Sequence, residues 1–321
     1  MHPIDRIGAV AIRRGPGRLR VFPGGWGDEA TVAEMGDIEQ LTEEPADIRI
    51  SWGPVARSEQ AVVRDGWFEA VTDVPYQART ALIRRIEPPT GAARMCLLMA
   101  AWNDHGFDTR QRLADELLAR NIGSLILEIP YYGSRRIVAD REQPIQTVAD
   151  FARMGIGAVA EGRALLKRFR REFTMGVAGY SMGGNIAALV GATAGFPVAI
   201  APLAASHSPG PVFLDGVISG GIRWEALGGE PEARDRLRRT LSAVSVLRLP
   251  APAWTATAVL VAAKSDGFVP AEATRRLHEH WPGSELRWRR GGHATLLWRR
   301  RATLADAIAA SFDRLDSLRA A

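Results

Sequence analysis

The spacing of apolar residues changes twice along this chain, and the two changes divide it. Residues 1 to about 46 have no sustained period and include the turn-rich Phe22-Pro23-Gly24-Gly25-Trp26-Gly27. They read as an irregular arm wrapped on the main body. Between Asp47 and Glu87 come short β-like pieces, at Ile48 to Trp52, Gly66 to Ala70 and Thr80 to Arg84. Such pieces suit antiparallel strands at a sheet edge.

After Pro88-Pro89, continuous apolar runs alternate with helical periodicity. Met95 to Ala101 and Ser124 to Ile129 read as strands covered on both faces. Arg110 to Arg120 and the long stretch Ile145 to Phe173 carry apolar residues at helical spacing. A strand at Met175, a helix to about Thr193 and a strand at Pro197 to Leu203 follow. Residues 206 to about 252 interrupt the alternation, with Pro209, Pro211, Gly220-Gly221 and a charged helix at Glu232 to Arg239. They read as a small lid insertion. The pattern returns with a strand at Ala258 to Ala263 and a helix at Ala271 to His280. It closes with a last strand at Leu286 to Trp288 and a helix at Ala302 to Leu318.

Alternating β and α elements predict an α/β domain with a mostly parallel twisted sheet and helices on both faces. The expected division is an arm over 1–46 and one domain over 47–321, with the lid at about 206–252.

The candidate chemistry starts at Gly179-Tyr180-Ser181-Met182-Gly183, a G-x-S-x-G pattern between an apolar strand and a small-residue helix. In that setting it reads as a nucleophile elbow, which selects the α/β-hydrolase version of the fold. Serine is a weak nucleophile alone, so the elbow calls for an acid and then a histidine further along. Asp266 follows the strand ending at Ala263, and His293 lies in the loop after the last strand. Carboxyl ends of parallel strands meet at one edge, so the three can converge. The Met182 N–H is the first expected oxyanion donor. The second comes from the loop after the Met95 strand, Trp102 or alternatively Asn103. Asp215 and Glu128 are rival acids, but neither follows the penultimate strand. His105, Arg135, Arg136 and His207 are weaker candidates for substrate contact, each with a structural alternative.

Charge adds little. The formal net charge is +5, the basic residues are nearly all arginine, and Lys167 and Lys264 are the only lysines. The arginines are scattered among acids and no nucleic-acid recognition motif accompanies them, which argues against a nucleic-acid partner. An anionic substrate or a membrane surface is compatible with the charge. The Gly- and Ala-rich stretch Ile186 to Ala205 is broken by Pro197 and Pro202, so it is not read as a transmembrane span. The start has no apolar leader pattern, and cytoplasm is the expected location. The single cysteine, Cys96, sits in an apolar run. No metal-ligand spacing or phosphate-cradling loop appears, so no cofactor is expected.

At these residues the chain resembles α/β-hydrolase domain-containing protein 18 and its bacterial relatives. The matching pieces are Gly25-Trp26-Gly27, Asp104-His105, Pro130-Tyr131-Tyr132-Gly133, Met154-Gly155, Tyr180-Ser181-Met182-Gly183-Gly184, Asp266 with Val269-Pro270, and Trp281-Pro282-Gly283 leading to Gly291-Gly292-His293. They span nearly the whole chain. The resemblance implies Ser181, Asp266 and His293 as a catalytic triad, and a lipid or acyl ester as substrate. It departs where eukaryotic members carry a long polar insertion before the acid strand, since Gly228 to Pro252 is short. The resulting expectation is a serine hydrolase cleaving a carboxylic ester. The alternatives are a non-catalytic lipid-binding or interaction protein on the same fold, or an amidase or peptidase with the same triad.

Overall fold

The computed structural model describes residues 1–14, 19–139 and 143–320. Residues 15–18 of the expected arm lie outside that description. The described strands are β1 (Ser51–Arg57), β2 (Val62–Glu69), β3 (Thr80–Glu87), β4 (Arg94–Met99), β5 (Ile122–Leu127), β6 (Thr174–Tyr180), β7 (Ala199–Leu203), β8 (Val259–Ala263) and β9 (Glu285–Arg289). The helices are α1 (Pro3–Arg14), α2 (Glu29–Glu34), α3 (Asp108–Leu118), α4 (Val148–Phe169), α5 (Met182–Ala192), α6 (Pro209–Asp215), α7 (Glu232–Ala243), α8 (Ala271–His280), α9 (His293–Arg299) and α10 (Arg301–Ala320).

The strands form one sheet in the order β1-β2-β3-β5-β4-β6-β7-β8-β9. The pairs β1–β2, β2–β3 and β3–β5 are antiparallel. The rest, from β5 through β4 to β9, are parallel. The chain is an α/β-hydrolase fold.

Register explains how the sheet is buried on both sides. Leu125, Leu97, Val177 and Ile200 lie in one cross-strand row, and Ile126, Leu98, Ala178 and Ala201 in the next. Successive residues of a strand point to opposite faces. The first row joins the core packed with α4, α5 and α7, the second the core packed with α3 and α10. Buried on both faces, these strands carry no polar alternation. Cys96 belongs to the α3–α10 side, where burial pushes its thiol pKa up and keeps it protonated.

The irregular reading of residues 1 to 46 is corrected in part: α1 and α2 are helices. Both are short amphipathic pieces whose burial comes from distant partners, so local periodicity is weak evidence for them. The Gly25-Trp26-Gly27 turn docks on the start of α4. The Val148 N–H donates to the Gly25 carbonyl at 3.0 Å, and the Ala149 N–H to the Trp26 carbonyl at 2.9 Å. The Asp150 N–H goes to Thr147 Oγ1 at 3.0 Å, so three early N–H groups of α4 have partners. Gly25 and Gly27 have φ of +76° and +73°, a region that side chains avoid. Among the described residues, no helix is long and apolar enough to cross a membrane.

Helix α10 seals its face of the sheet through Phe312, which is fully buried. A Cβ on Gly176 of β6 would lie 2.5 Å from the Phe312 ring, so the ring occupies the space that this glycine leaves. Phe312→Ala is expected to lower stability by about 3–5 kcal/mol, read as a shift in urea midpoint at constant slope.

Candidate active site

The site grows from the junction of β6 and α5. Ser181 sits between them with φ 57° and ψ −118°, a backbone conformation that costs a non-glycine residue on the order of 1–3 kcal/mol. Neighbouring backbones hold it there. The Ser181 N–H donates to the Leu203 carbonyl at 2.8 Å. A Cβ on Gly179 would lie 2.2 Å from the Gly183 carbonyl oxygen, and one on Gly183 2.4 Å from that of Met99. Only glycine lets strand and helix approach this closely.

Asp266 and His293 meet beside it. His293 Nδ1 lies 2.8 Å from Asp266 Oδ2. The other carboxylate oxygen accepts from the Phe268 and Val269 N–H groups, at 2.8 and 2.9 Å. The acid is thereby fixed at both oxygens. The Phe268 ring stacks on the imidazole, with centroids 4.9 Å apart. Tyr180, next to Ser181, donates its hydroxyl to the His293 carbonyl at 2.6 Å. Burial, and then the nearby Asp266 and Asp5 carboxylates, push the Tyr180 phenol pKa well up and keep it a donor. His293 is the first residue of α9 rather than a loop residue, because a short helix starts directly after Gly291-Gly292.

Ser181 and His293 share a cavity of about 430 Å³, whose walls include Trp102, Tyr180, Phe268 and Ile218. Ile12 of α1 and Leu297 and Trp298 of α9 also line it. A smaller cavity that also touches Ser181 is lined by Trp102, Phe151, Val212, Phe213 and Ile218. Trp102, Phe151 and Phe213 touch edge-on or tilted, with centroids 5.2–6.1 Å apart. The walls next to Ser181 are therefore largely apolar.

The segment that carries Trp102 is held by a buried ion pair. Arg110 Nε lies 2.9 Å from Asp104 Oδ2. The same guanidinium donates to the carbonyls of Leu98, Leu127 and Gly106. It ties the carboxyl ends of β4 and β5 to the 101–106 turn. Met182 opens α5, so its N–H has no carbonyl one turn back. The Asn103 N–H donates to the Tyr132 hydroxyl at 3.4 Å.

The four weaker candidates for substrate contact all have partners within the protein. Arg135 is fully buried and binds both oxygens of buried Glu161, at 2.7 and 2.8 Å. It also donates to the Ala78 and Glu128 carbonyls, so it is a core residue and not an anion-binding one. Removing one member of such a pair strands a charge in the core. Arg136 contacts His105 and the Ala139 carbonyl, and His105 accepts from the Gly133 N–H. Neither is among the described residues lining the Ser181 cavity. His207 is buried, with Nδ1 2.9 Å from Ser245 Oγ, and packs in the core. Burial first, then the charges of Arg276 and His280, push its pKa down to about 4. Glu128, a rival acid, is engaged by the Ser134 hydroxyl.

The comparisons agree with the architecture. A family model described as alpha/beta hydrolase domain containing 18 matches residues 19–239 and 229–314. Among solved structures, the acetyl xylan esterase from Paenibacillus sp. R4 aligns with a TM-score of 0.59 at 12% identity, covering 91% of this chain and 98% of its own. Acetyl xylan esterase 1 from Thermoanaerobacterium sp. JW/SL YS485 aligns at 0.57 and 13%, covering 92% and 96%. A cold-adapted esterase from an Arctic intertidal metagenomic library aligns at 0.53 and 18%, covering 81% and 98%. At such identities the likeness is one of fold.

Two stability predictions concern the buried Arg135 and His207. Arg135→Met is expected to cost about 3–5 kcal/mol in urea unfolding at pH 7. The lowered His207 pKa means that the unfolded chain binds the proton more readily. Its share of stability is complete above pH 6.5 and lost as pH falls toward about 4. His207→Gln should flatten the fall in urea midpoint between pH 7 and pH 5.

Proposed function

The chain belongs to the alpha/beta hydrolase domain containing 18 family, and we propose that it hydrolyses a carboxylic ester through an acyl-enzyme on Ser181. The observation that carries this reading is the Asp266–His293 contact of 2.8 Å, in a cavity that His293 shares with the strained Ser181.

The geometry supports the following roles. With Nδ1 committed to Asp266, His293 has Nε2 for proton transfer. It takes the proton from Ser181 Oγ as the oxygen attacks the ester carbonyl, and returns it to the departing alcohol. Asp266 fixes the tautomer and stabilises the imidazolium. The Met182 and Trp102 N–H groups hold the tetrahedral oxyanion. Water then attacks the acyl carbonyl as His293 takes its proton, and His293 returns that proton to Ser181 Oγ as the acyl–oxygen bond breaks, releasing the acid and the free serine. The apolar walls near Ser181 favour an acyl group over a charged one, and the segment over 206–252 acts as a lid through Val212, Phe213 and Ile218.

A fluorophosphonate probe is expected to label the wild type and to leave Ser181→Ala unlabelled. Labelling that survives the substitution would exclude Ser181 as the nucleophile. An unlabelled, inactive wild type would favour a binding protein on the hydrolase fold. Asp266→Asn is expected to lower kcat on the order of 10⁴-fold. Turnover of acyl esters with no turnover of the matching amides separates an esterase from an amidase.

A further inference from the structure

We propose that Asp5 of α1 is a positioning residue of this site, setting His293 and the Asp266 turn at their working distance from Ser181. The inference rests on the roles given above for Ser181, Asp266 and His293. Asp5 is 1% exposed. Its Oδ2 accepts from the Gly267 N–H at 2.9 Å and from the His293 N–H at 2.8 Å. Its Oδ1 accepts from the Ala294 N–H at 3.3 Å. One carboxylate therefore spans the residue after the acid, the base itself and the residue after the base.

Burying a carboxylate is costly unless its oxygens are hydrogen-bonded, and here backbone donors from the turn after β8 and the start of α9 supply the bonds. The neighbours leave room for it. A Cβ on Gly292 would lie 2.5 Å from Asp5 Oδ2, and one on Gly267 3.1 Å from the Asp5 Cβ. The His2 N–H adds a bond to the Ser265 carbonyl at 2.9 Å, on the same turn as Asp266. His293 is thus gripped at both backbone polar atoms, its N–H by Asp5 and its carbonyl by Tyr180. The helix that carries Asp5 also contributes Ile12 to the cavity wall. Residues 1–18 precede the part of the chain that the family model matches.

The consequence is kinetic. A catalytic base displaced by about 1 Å can lose on the order of 10²-fold in rate. Asp5 touches backbone and not the cavity, so its loss should fall on kcat and leave KM little changed.

The test compares wild type, Asp5→Ala, Asp5→Asn and Asp28→Ala on p-nitrophenyl butyrate and by the rate of fluorophosphonate labelling. Circular dichroism and Tm report folding. Asp5→Ala is expected to fold and to lose about 10²-fold in kcat and labelling rate. Asp5→Asn should fall between, because its amide oxygen keeps an acceptor while its NH₂ faces an N–H. The downfield proton resonance of the Asp266–His293 hydrogen bond should broaden or shift in both. Asp28→Ala removes the side chain that caps α2 and should lower Tm without changing kcat.

Unchanged kcat in folded Asp5→Ala, or in Asp5→Asn should the alanine variant not fold, would overturn the proposal. So would an Asp28→Ala loss of kcat as large as that of Asp5→Ala. A wild type labelled at Ser181 keeps the hydrolase reading whatever the Asp5 variants do. An unlabelled wild type would overturn both.

Discussion

The close approach of four backbones around Ser181 is the constraint on which the rest depends. β6 must lie against β4 and β7, and α5 must start where β6 stops. That is feasible because Gly179 and Gly183 bring no Cβ into spaces of 2.2 and 2.4 Å. The serine is left in a strained conformation that the surrounding sheet over-determines. Every other part of the site is placed relative to that point. The turn after β8 brings the acid, the start of α9 brings the histidine, and the turn after β4 brings Trp102.

Around this centre the structure repeats one device, a buried charge answered by backbone. Arg110 holds the carbonyl ends of β4 and β5, and Arg135 holds the Ala78 and Glu128 carbonyls. Asp5 does the reverse with three N–H groups. Loops at the edge of a parallel sheet have few regular hydrogen bonds of their own, and unpaired buried peptide groups are expensive. A multidentate side chain satisfies several at once and fixes the loops relative to each other. Such groups serve as geometric fasteners, and this explains why Arg110 and Arg135 are unavailable to anions.

Much of the fold was legible because its signals are local. The β4, β5 and β6 runs are apolar without alternation, and α3, α4, α8 and α10 keep helical spacing. The order of Ser181, Asp266 and His293 at strand ends needed only the elbow and chain order. What escaped is non-local. Asp5 is an ordinary acid in a short amphipathic stretch until α1 lies against α9. Arg135 and Arg136 are adjacent and chemically alike, yet one is sealed in the core against Glu161, 26 positions away, and the other is half-buried beside His105. His207 next to Ser206 and Ser208 resembles a site histidine until Ser245 takes its ring nitrogen. In each case the partner lies too far along the chain for any spacing rule to find.

The Asp5–His293 bond joins positions 288 apart. Closing so long a loop is entropically costly, and contacts of that range form late in folding. On a ribosome the segment carrying α1 emerges early and must wait until α9 has been made before its carboxylate finds its three donors. During that interval Asp5 stays hydrated, and the histidine's final placement is still to come. Completion of this contact therefore requires the joining of chain segments 288 positions apart, and a chain that stops before α9 lacks His293 altogether.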